Sequence, residues 1–378
     1  MKRIISLMVA VMMAAGFMVF QPVYAGNTVQ RYVDFRGIQL FTEAYNYSPK
    51  AKEGIVYLHS LGGRYSDASF LYDSSNPYMT ITMDFINHGN SDDVEKITWD
   101  MHIESIKAVI EAYGLNKVTL VGHSFGADTA MMFAKKYHHY VREIILIDGA
   151  YFNFIDLARF NFTRDFCEVI EYSPSSGITK EQFSQYFDMA YEDITRTWDI
   201  NRDVLLIAAD PYWTKPDPES GEPSIVEIIA MIKQAPEAFG FTAEEVAKIP
   251  DITYEDLDRY CSFLAEKINA FAKVNKKFSV IQTPYSHTII SLDECKEDVR
   301  EMILDYMKKG PKDKNDKTKD KPGDKPKDKD DKPKDKPGDK PKDKDDKPKG
   351  KPGDKPKDKK HPEKHKITDV IPRLRLVD

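Results

Sequence analysis

Short apolar runs alternate with segments of helical periodicity through the middle of the chain. Six runs rich in β-branched residues predict strands at 54–60, 79–85, 117–123, 142–148, 203–209 and 277–283. Between two of them, residues 101–114 place a row of apolar side chains on one face of a helix. Nearly continuous apolar strands that alternate with helices are typical of a parallel sheet covered on both faces. The pattern therefore predicts an α/β domain over residues 26–310.

The first 25 residues have a different pattern. Lys2 and Arg3 precede an uncharged apolar run from Ile4 to Phe20, and short residues follow at Val23 and Ala25. This order predicts a cleaved secretory signal peptide over residues 1–25. An uncleaved membrane anchor is the alternative, because the apolar run approaches the length of a spanning helix. No later segment is apolar enough to span a bilayer, so we expect a soluble mature protein outside the cytoplasm.

The composition changes abruptly at Gly310. Residues 311–366 contain no Leu, Ile, Val, Met or aromatic residue, and a fifteen-residue repeat begins KPGDKPKDKDDKPKD at residue 321. Such a segment cannot bury enough apolar surface to offset its ordering entropy, so it is predicted to be disordered. Its net charge is +8, whereas residues 1–310 carry −14. A basic tail on an acidic body could bind an anionic polymer of the cell envelope, or it could only aid solubility. A short segment, 367–378, ends the chain.

The sequence lacks the motifs of several classes of function. The three cysteines (Cys167, Cys261 and Cys295) have no neighbouring cysteine or histidine at metal-ligand spacing. They could form one disulfide in an oxidising compartment, but buried or half-buried thiols are the simpler interpretation. Neither a glycine-rich phosphate loop nor a zinc-protease motif is present. The acidic body has no basic patch interleaved with aromatics, which argues against a nucleic-acid partner. We therefore expect no metal and no cofactor.

One motif carries candidate chemistry. In NKVTLVGHSFGADTA, residues 116–130, Ser124 lies between Gly122 and Gly126, directly after a predicted strand and before a segment rich in helix formers. A serine hydroxyl is a weak nucleophile that needs an adjacent base and an open approach. A sharp strand-to-helix turn presents the side chain in this way, and glycines two residues before and after it relieve the crowding. The context favours Ser124 as a nucleophile.

The chain resembles the α/β-hydrolase family at this motif and at three others. VYLHSLGG (56–63) is similar to the family's oxyanion loop, with Ser60 in place of a glycine. MDFINHGNSDD (83–93) is similar to the stretch after the fourth strand, with Asn87 where glycine is common. TPYSHTIISLDECKEDVREMILDYM (283–307) is similar to the last segment, with Ser286 where glycine often precedes the histidine. The resemblance implies a mostly parallel sheet with helices on both faces.

The resemblance also implies a catalytic triad. Ser124 would be the nucleophile, and His287 the base that takes its proton. Asp210, after the predicted seventh strand, is the favoured acid, although its separation from His287 is unusually long. Asp148, after the sixth strand, is the alternative acid. The backbone N–H groups of Phe125 and Leu61 would form the oxyanion hole, although Ser60 could replace Leu61 as donor.

Two segments exceed a minimal hydrolase and are predicted to be helical lid insertions, at about 151–200 and 211–275. Their aromatics could line an apolar pocket or form a core between lid helices. The leading hypothesis is a secreted serine hydrolase that cleaves a carboxylic ester through an acyl-enzyme. The alternatives are an aminopeptidase-like amide or peptide hydrolase on the same triad, and a non-catalytic, surface-tethered binding protein on a hydrolase scaffold. A small-molecule ester or amide is the expected substrate.

Overall fold

The computed structural model describes residues 27–172, 176–210, 224–239, 241–285, 287, 290 and 293–309. The predicted signal peptide at 1–25, the predicted tail at 311–366 and the short segment at 367–378 lie outside the described residues.

A single eight-stranded sheet organises the described chain, in the order β1-β2-β4-β3-β5-β6-β7-β8. The first two strands pair antiparallel, as do β2 and β4, and the remaining pairs are parallel. The strands are β1 Val29–Phe35, β2 Ile38–Tyr45, β3 Glu53–Leu58, β4 Thr80–Met83, β5 Lys117–His123, β6 Val141–Ile147, β7 Asp203–Ala208 and β8 Phe278–Gln282.

Helices connect and cover these strands. The α-helices are α1 Trp99–Ala112, α2 Phe125–Lys136, α3 Arg164–Glu171, α4 Lys180–Ala190, α5 Ile225–Gln234, α6 Ala243–Val246, α7 Tyr254–Val274 and α8 Asp293–Lys309. Short 3₁₀ helices lie at Tyr65–Leu71, Phe154–Phe160, Ile194–Thr197 and Pro236–Phe239. Six of the described α-helices are preceded by a Ser or Thr whose side chain caps the N–H of the third helical residue, a group with no intrahelical partner.

Alternating side chains of the central strands enter two separate apolar cores. On one face, Leu120 and Leu146 pack in the same core as Ile106 of α1 and Ala130 of α2. On the other face, Val121 packs with residues of α8 and of the 3₁₀ helix Tyr65–Leu71. The two-residue side-chain period of a strand places neighbours on opposite faces, so each strand needs cover on both sides. This arrangement confirms the predicted mostly parallel sheet with helices on both faces.

The predicted strands and the predicted helix agree with the observed ones to within two residues at each end. The N-terminal hairpin of β1 and β2 was not predicted. Its two-residue turn is Arg36-Gly37, and both residues have positive φ, 57° and 86°. This geometry matches the right-handed twist of the flanking strands. A glycine between two runs of alternating polarity was the available sequence signal.

Both predicted insertions contain helices, although residues 173–175 and 211–223 lie outside the described residues. The first holds α3 and α4, and the second holds α5 to α7. Their aromatics pack against one another: the rings of Phe160 and Phe263 have centroids 5.2 Å apart, and those of Phe183 and Phe187 5.6 Å apart. These side chains are buried, so each is a core residue of the insertions.

Cys167 and Cys295 are buried thiols and Cys261 is half-buried, as expected. Among the residues described, no helix combines the length and the apolar character needed to cross a bilayer.

Candidate active site

Ser124 occupies a strained turn between β5 and α2. Its φ and ψ are 54° and −120°, in a region that non-glycine residues rarely enter. The backbone N–H of Ser124 donates to the carbonyl oxygen of Ile147 at 2.9 Å, and its own carbonyl accepts from Ala127 at 2.8 Å. The neighbouring strand and the first turn of the helix therefore hold the conformation that presents this side chain at the carboxyl end of the sheet.

The glycines around Ser124 are required by contact. A Cβ on Gly122 would lie 2.1 Å from the carbonyl oxygen of Gly126, and a Cβ on Gly126 would lie 2.0 Å from that of Leu58. A third glycine, Gly149, passes so close that its Cβ would lie 2.4 Å from the carbonyl oxygen of Ser124. Backbone carbonyls cannot move aside as a flexible side chain can. The turn is therefore possible only with hydrogen at these positions.

His287 pairs with a carboxylate near this turn. Its Nδ1 lies 2.6 Å from Oδ2 of Asp148, the first residue after β6. The other carboxylate oxygen of Asp148 accepts from the hydroxyl of Tyr151 at 3.0 Å and from the backbone N–H of Ala209 at 3.1 Å. Burial by itself raises the pKa of the Asp148 carboxyl. The bond and charge of His287 and the two other donors more than offset this effect, so its pKa lies below the usual value.

The structure places the alternative acid, Asp148, against Nδ1 of His287, whereas the sequence favoured Asp210. The strand order gives the reason: β6 lies directly beside β5, so the residue after β6 is next to the turn that carries Ser124. A φ of 44° at Asp148 turns the chain sharply there. Asp210, after β7, donates its backbone N–H to the carbonyl oxygen of Tyr285 at 2.7 Å.

His287 also lies against the residue that precedes Ser124. The ring centroids of His123 and His287 are 5.1 Å apart, and Nε2 of His123 is 2.8 Å from the backbone oxygen of His287. The structure thus places Asp148 against His287, and His287 against His123, the residue directly before Ser124. Such a set can activate a serine hydroxyl, because an oriented imidazole can accept its proton.

The two predicted oxyanion donors, the N–H groups of Phe125 and Leu61, belong to buried residues. Phe125 is the first residue of α2, so its N–H has no partner within the helix. Its ring is buried between Trp99 and Tyr186, with centroids at 5.4 and 5.6 Å. Leu61 is buried in the loop after β3, and Gly62 beside it has a φ of 71°.

Two buried histidines hold the loop of Leu61. Nδ1 of His59 donates to the carbonyl oxygen of Ser60 at 2.7 Å, and its Nε2 accepts from the N–H of Phe85 at 3.0 Å. Nε2 of His88 accepts from the N–H of Gly62 at 3.3 Å. Burial lowers the pKa of His59 well below its usual value and that of His88 to about 4. Neutral rings are what these bonds require, since each ring both donates and accepts.

Sequence reasoning missed Tyr151 as a partner of Asp148. Only its position three residues further along the chain hinted at the contact.

Among the described residues, no group of three or more His, Cys, Asp or Glu side chains is placed to hold a metal ion.

The sheet order and the turn that carries Ser124 are typical of the alpha/beta hydrolase fold, and comparisons with known proteins agree with this fold. A family model described as the alpha/beta hydrolase fold matches residues 55–219. The crystal structure of MGS-M2, an alpha/beta hydrolase enzyme from a Medee basin deep-sea metagenome library, superposes with a TM-score of 0.52 at 13% identity, covering 75% of this chain and all of that one. The chain therefore has the α/β-hydrolase fold.

Curated relatives match over a shorter stretch. A Haemophilus influenzae protein provisionally named an esterase/lipase is 33% identical over 95 residues, which are 25% of this chain and 33% of that protein. Ethanol acetyltransferase 1 of Cyberlindnera jadinii is 33% identical over 110 residues, 28% of this chain and 32% of that protein. The chain thus spans about a third of the length of the curated relatives it matches.

Proposed function

We propose that this protein is a serine hydrolase that cleaves a carboxylic ester through an acyl-enzyme on Ser124. The observation that carries the proposal is the 2.6 Å pair of His287 and Asp148 beside the strained turn of Ser124. The esterase/lipase relative supports ester chemistry, and the α/β-hydrolase fold supports hydrolysis.

Each residue has one task in the proposed reaction. The carboxylate of Asp148 accepts a hydrogen bond from the Nδ1–H of His287, so Nε2 is unprotonated and can take the proton of the Ser124 hydroxyl. The serine oxygen then bonds to the ester carbonyl carbon, and the N–H groups of Phe125 and Leu61 stabilise the resulting oxyanion. The imidazolium returns its proton to the departing alcohol. Water repeats the sequence on the acyl-enzyme and releases the acid.

The test combines labelling with turnover. A fluorophosphonate probe is applied to the purified chain and to Ser124→Ala, with Asp93→Asn, an exposed position, as a control for the act of substitution. We expect labelling of the wild type and Asp93→Asn and none of Ser124→Ala. Absence of labelling in all three would favour a non-catalytic binding protein. Nitrophenyl esters of graded acyl length, compared with aminoacyl anilides, then distinguish ester from amide cleavage.

A second candidate function is acyl transfer to an alcohol. It is favoured by the acetyltransferase names of two relatives, ethanol acetyltransferase 1 and an alcohol acetyltransferase of Wickerhamomyces anomalus that is 30% identical over 102 residues. Both functions share the acyl-enzyme and differ in the molecule that attacks it. Adding ethanol to the nitrophenyl acetate assay and quantifying ethyl acetate measures the partition. Acetate as the sole product would exclude transfer.

We also propose an extracytoplasmic location in which the tail contacts an anionic envelope polymer. The support is the N-terminal pattern and the charge contrast between residues 311–366, at +8, and residues 1–310, at −14. The full chain should bind polyanion beads at low salt and elute as salt rises, whereas a chain ending at Gly310 should not bind. Equal retention of both chains would refute the role of the tail.

A further inference from the structure

His123, the second residue of the Gly122–Gly126 motif, has no task in the proposed reaction. His123 is the last residue of β5, and only 5% of it is exposed to solvent. Its Nε2 lies 2.8 Å from the backbone oxygen of His287, which is 164 residues further along the chain. A carbonyl oxygen can only accept, so Nε2 of His123 carries the proton of this hydrogen bond.

The two histidines touch through their rings as well. Their centroids lie 5.1 Å apart with an interplanar angle of 35°. His287 is thus held at two different points: Asp148 bonds its ring at Nδ1, and His123 bonds its peptide oxygen. The first bond orients the imidazole about its own axis. The second fixes the position of the backbone from which the imidazole projects.

We propose that His123 is a positioning residue that ties the backbone of His287 to the strand end carrying Ser124. The inference rests on the proposed function of Ser124 and His287. Because His123 and Ser124 share a peptide bond, any shift of this strand end carries the base along with the nucleophile. A reaction of this kind needs the two reacting atoms at hydrogen-bond distance, and a displacement of about 1 Å can cost about a hundredfold in rate.

The experiment compares three substitutions that differ in where they place a donor. Gln positions its amide nitrogen close to the place of Nε2, so His123→Gln should keep the bond to His287. Asn is shorter by one methylene, and Leu has no donor, so neither should make it. We expect His123→Asn and His123→Leu to lower kcat for a nitrophenyl ester by about tenfold to a hundredfold with little change in KM. His123→Gln should stay within about threefold of the wild type.

A second readout does not depend on turnover. A proton in a hydrogen bond as short as that between His287 and Asp148 gives a far-downfield NMR signal, which is assigned by its loss in His287→Gln. This signal should persist in His123→Gln and should shift or broaden in His123→Asn, whose thermal midpoint is recorded alongside. If Gln is as impaired as Asn, or if Asn keeps both kcat and the signal, the positioning role is wrong.

The two proposals fail in different ways. If the wild type does not react with the fluorophosphonate, the proposed hydrolase function fails. The NMR comparison still reports whether His123 positions His287.

Discussion

The two halves of the candidate site are built in contrasting ways. The serine side is one continuous stretch, Gly122–Gly126, in which a strand, a turn and a helix follow without interruption. The acid–base side is assembled from residues after three strands: Asp148 after β6, Ala209 after β7 and His287 after β8. Contacts of backbone with backbone shape the first half, and side-chain hydrogen bonds between distant segments shape the second. A local motif specifies the first, whereas the order of strands in the sheet selects the second.

The sharpest test of this contrast concerns the acid. Asp148→Asn should lower kcat about 10⁴-fold, because an amide in place of the carboxylate no longer holds His287 in the useful tautomer. Asp210→Asn is the matched control, since it makes the same chemical change after the neighbouring strand, and should cost less than about tenfold. Initial rates with a nitrophenyl ester provide the comparison, and circular dichroism checks the fold. The reverse order of effects would make Asp210 the functional acid.

On the serine side, adding a side-chain atom should lower the stability of the fold through a steric clash. Gly126→Ala places a Cβ about where the carbonyl oxygen of Leu58 already lies, at 2.0 Å. We expect a loss of about 3–5 kcal/mol in the free energy of unfolding, the range of severe single substitutions.

Gly37→Ala is the matched control for Gly126→Ala. Gly37 has a φ of +86° but no heavy atom within 4 Å of an added Cβ. Its loss should be limited to about 1–2 kcal/mol of backbone strain. Urea denaturation measures both variants, and equal losses would show that contact is not what requires Gly126.

A smaller effect concerns a buried acid on the helix that follows Ser124. Asp128 lies in the first turn of α2, and burial raises the pKa of its carboxyl to about 8, despite the N–H of Ala150. The folded chain therefore keeps a proton that the unfolded chain releases near pH 4, so this group lowers stability as pH rises from about 4 to about 8. Asp128→Asn removes the titration. Its stability relative to the wild type should rise by about 1–2 kcal/mol from pH 6.5 to 8.

The pH window for Asp128 avoids the buried histidines. The pKa of His88 is lowered to about 4 and that of His102 to about 3, both mainly by burial, so these groups affect stability below pH 6.5. Urea denaturation at each pH measures the variant, with the exposed Asp93→Asn as the control. A difference between Asp128→Asn and the wild type that does not change with pH would contradict the prediction.

Much of the fold could be predicted, for identifiable reasons. The strand Lys117–His123 is buried on both faces, and Thr119 is the one polar residue between Val118 and Gly122, so its pattern is visible in a short window. The helix Trp99–Ala112 shows its buried face at helical spacing. The hairpin at Arg36-Gly37 was not predicted, because β1 alternates between exposed and buried residues and is partly polar. The pairing of Asp148 with His287 was not the favoured prediction, because two aspartates after adjacent strands look alike in sequence.

The sequence by itself determined the α/β pattern, the strained turn at Ser124 with its glycines, and the charge contrast between body and tail. These features can be predicted from short stretches of sequence, because strand period, helix period and the spacing of glycines around a serine are patterns of a few positions. Only the tertiary structure decided that Asp148 meets His287 and that His123 holds the His287 backbone. Those contacts depend on which strand ends lie side by side, and pairing across more than a hundred residues is set by the packing of the whole sheet.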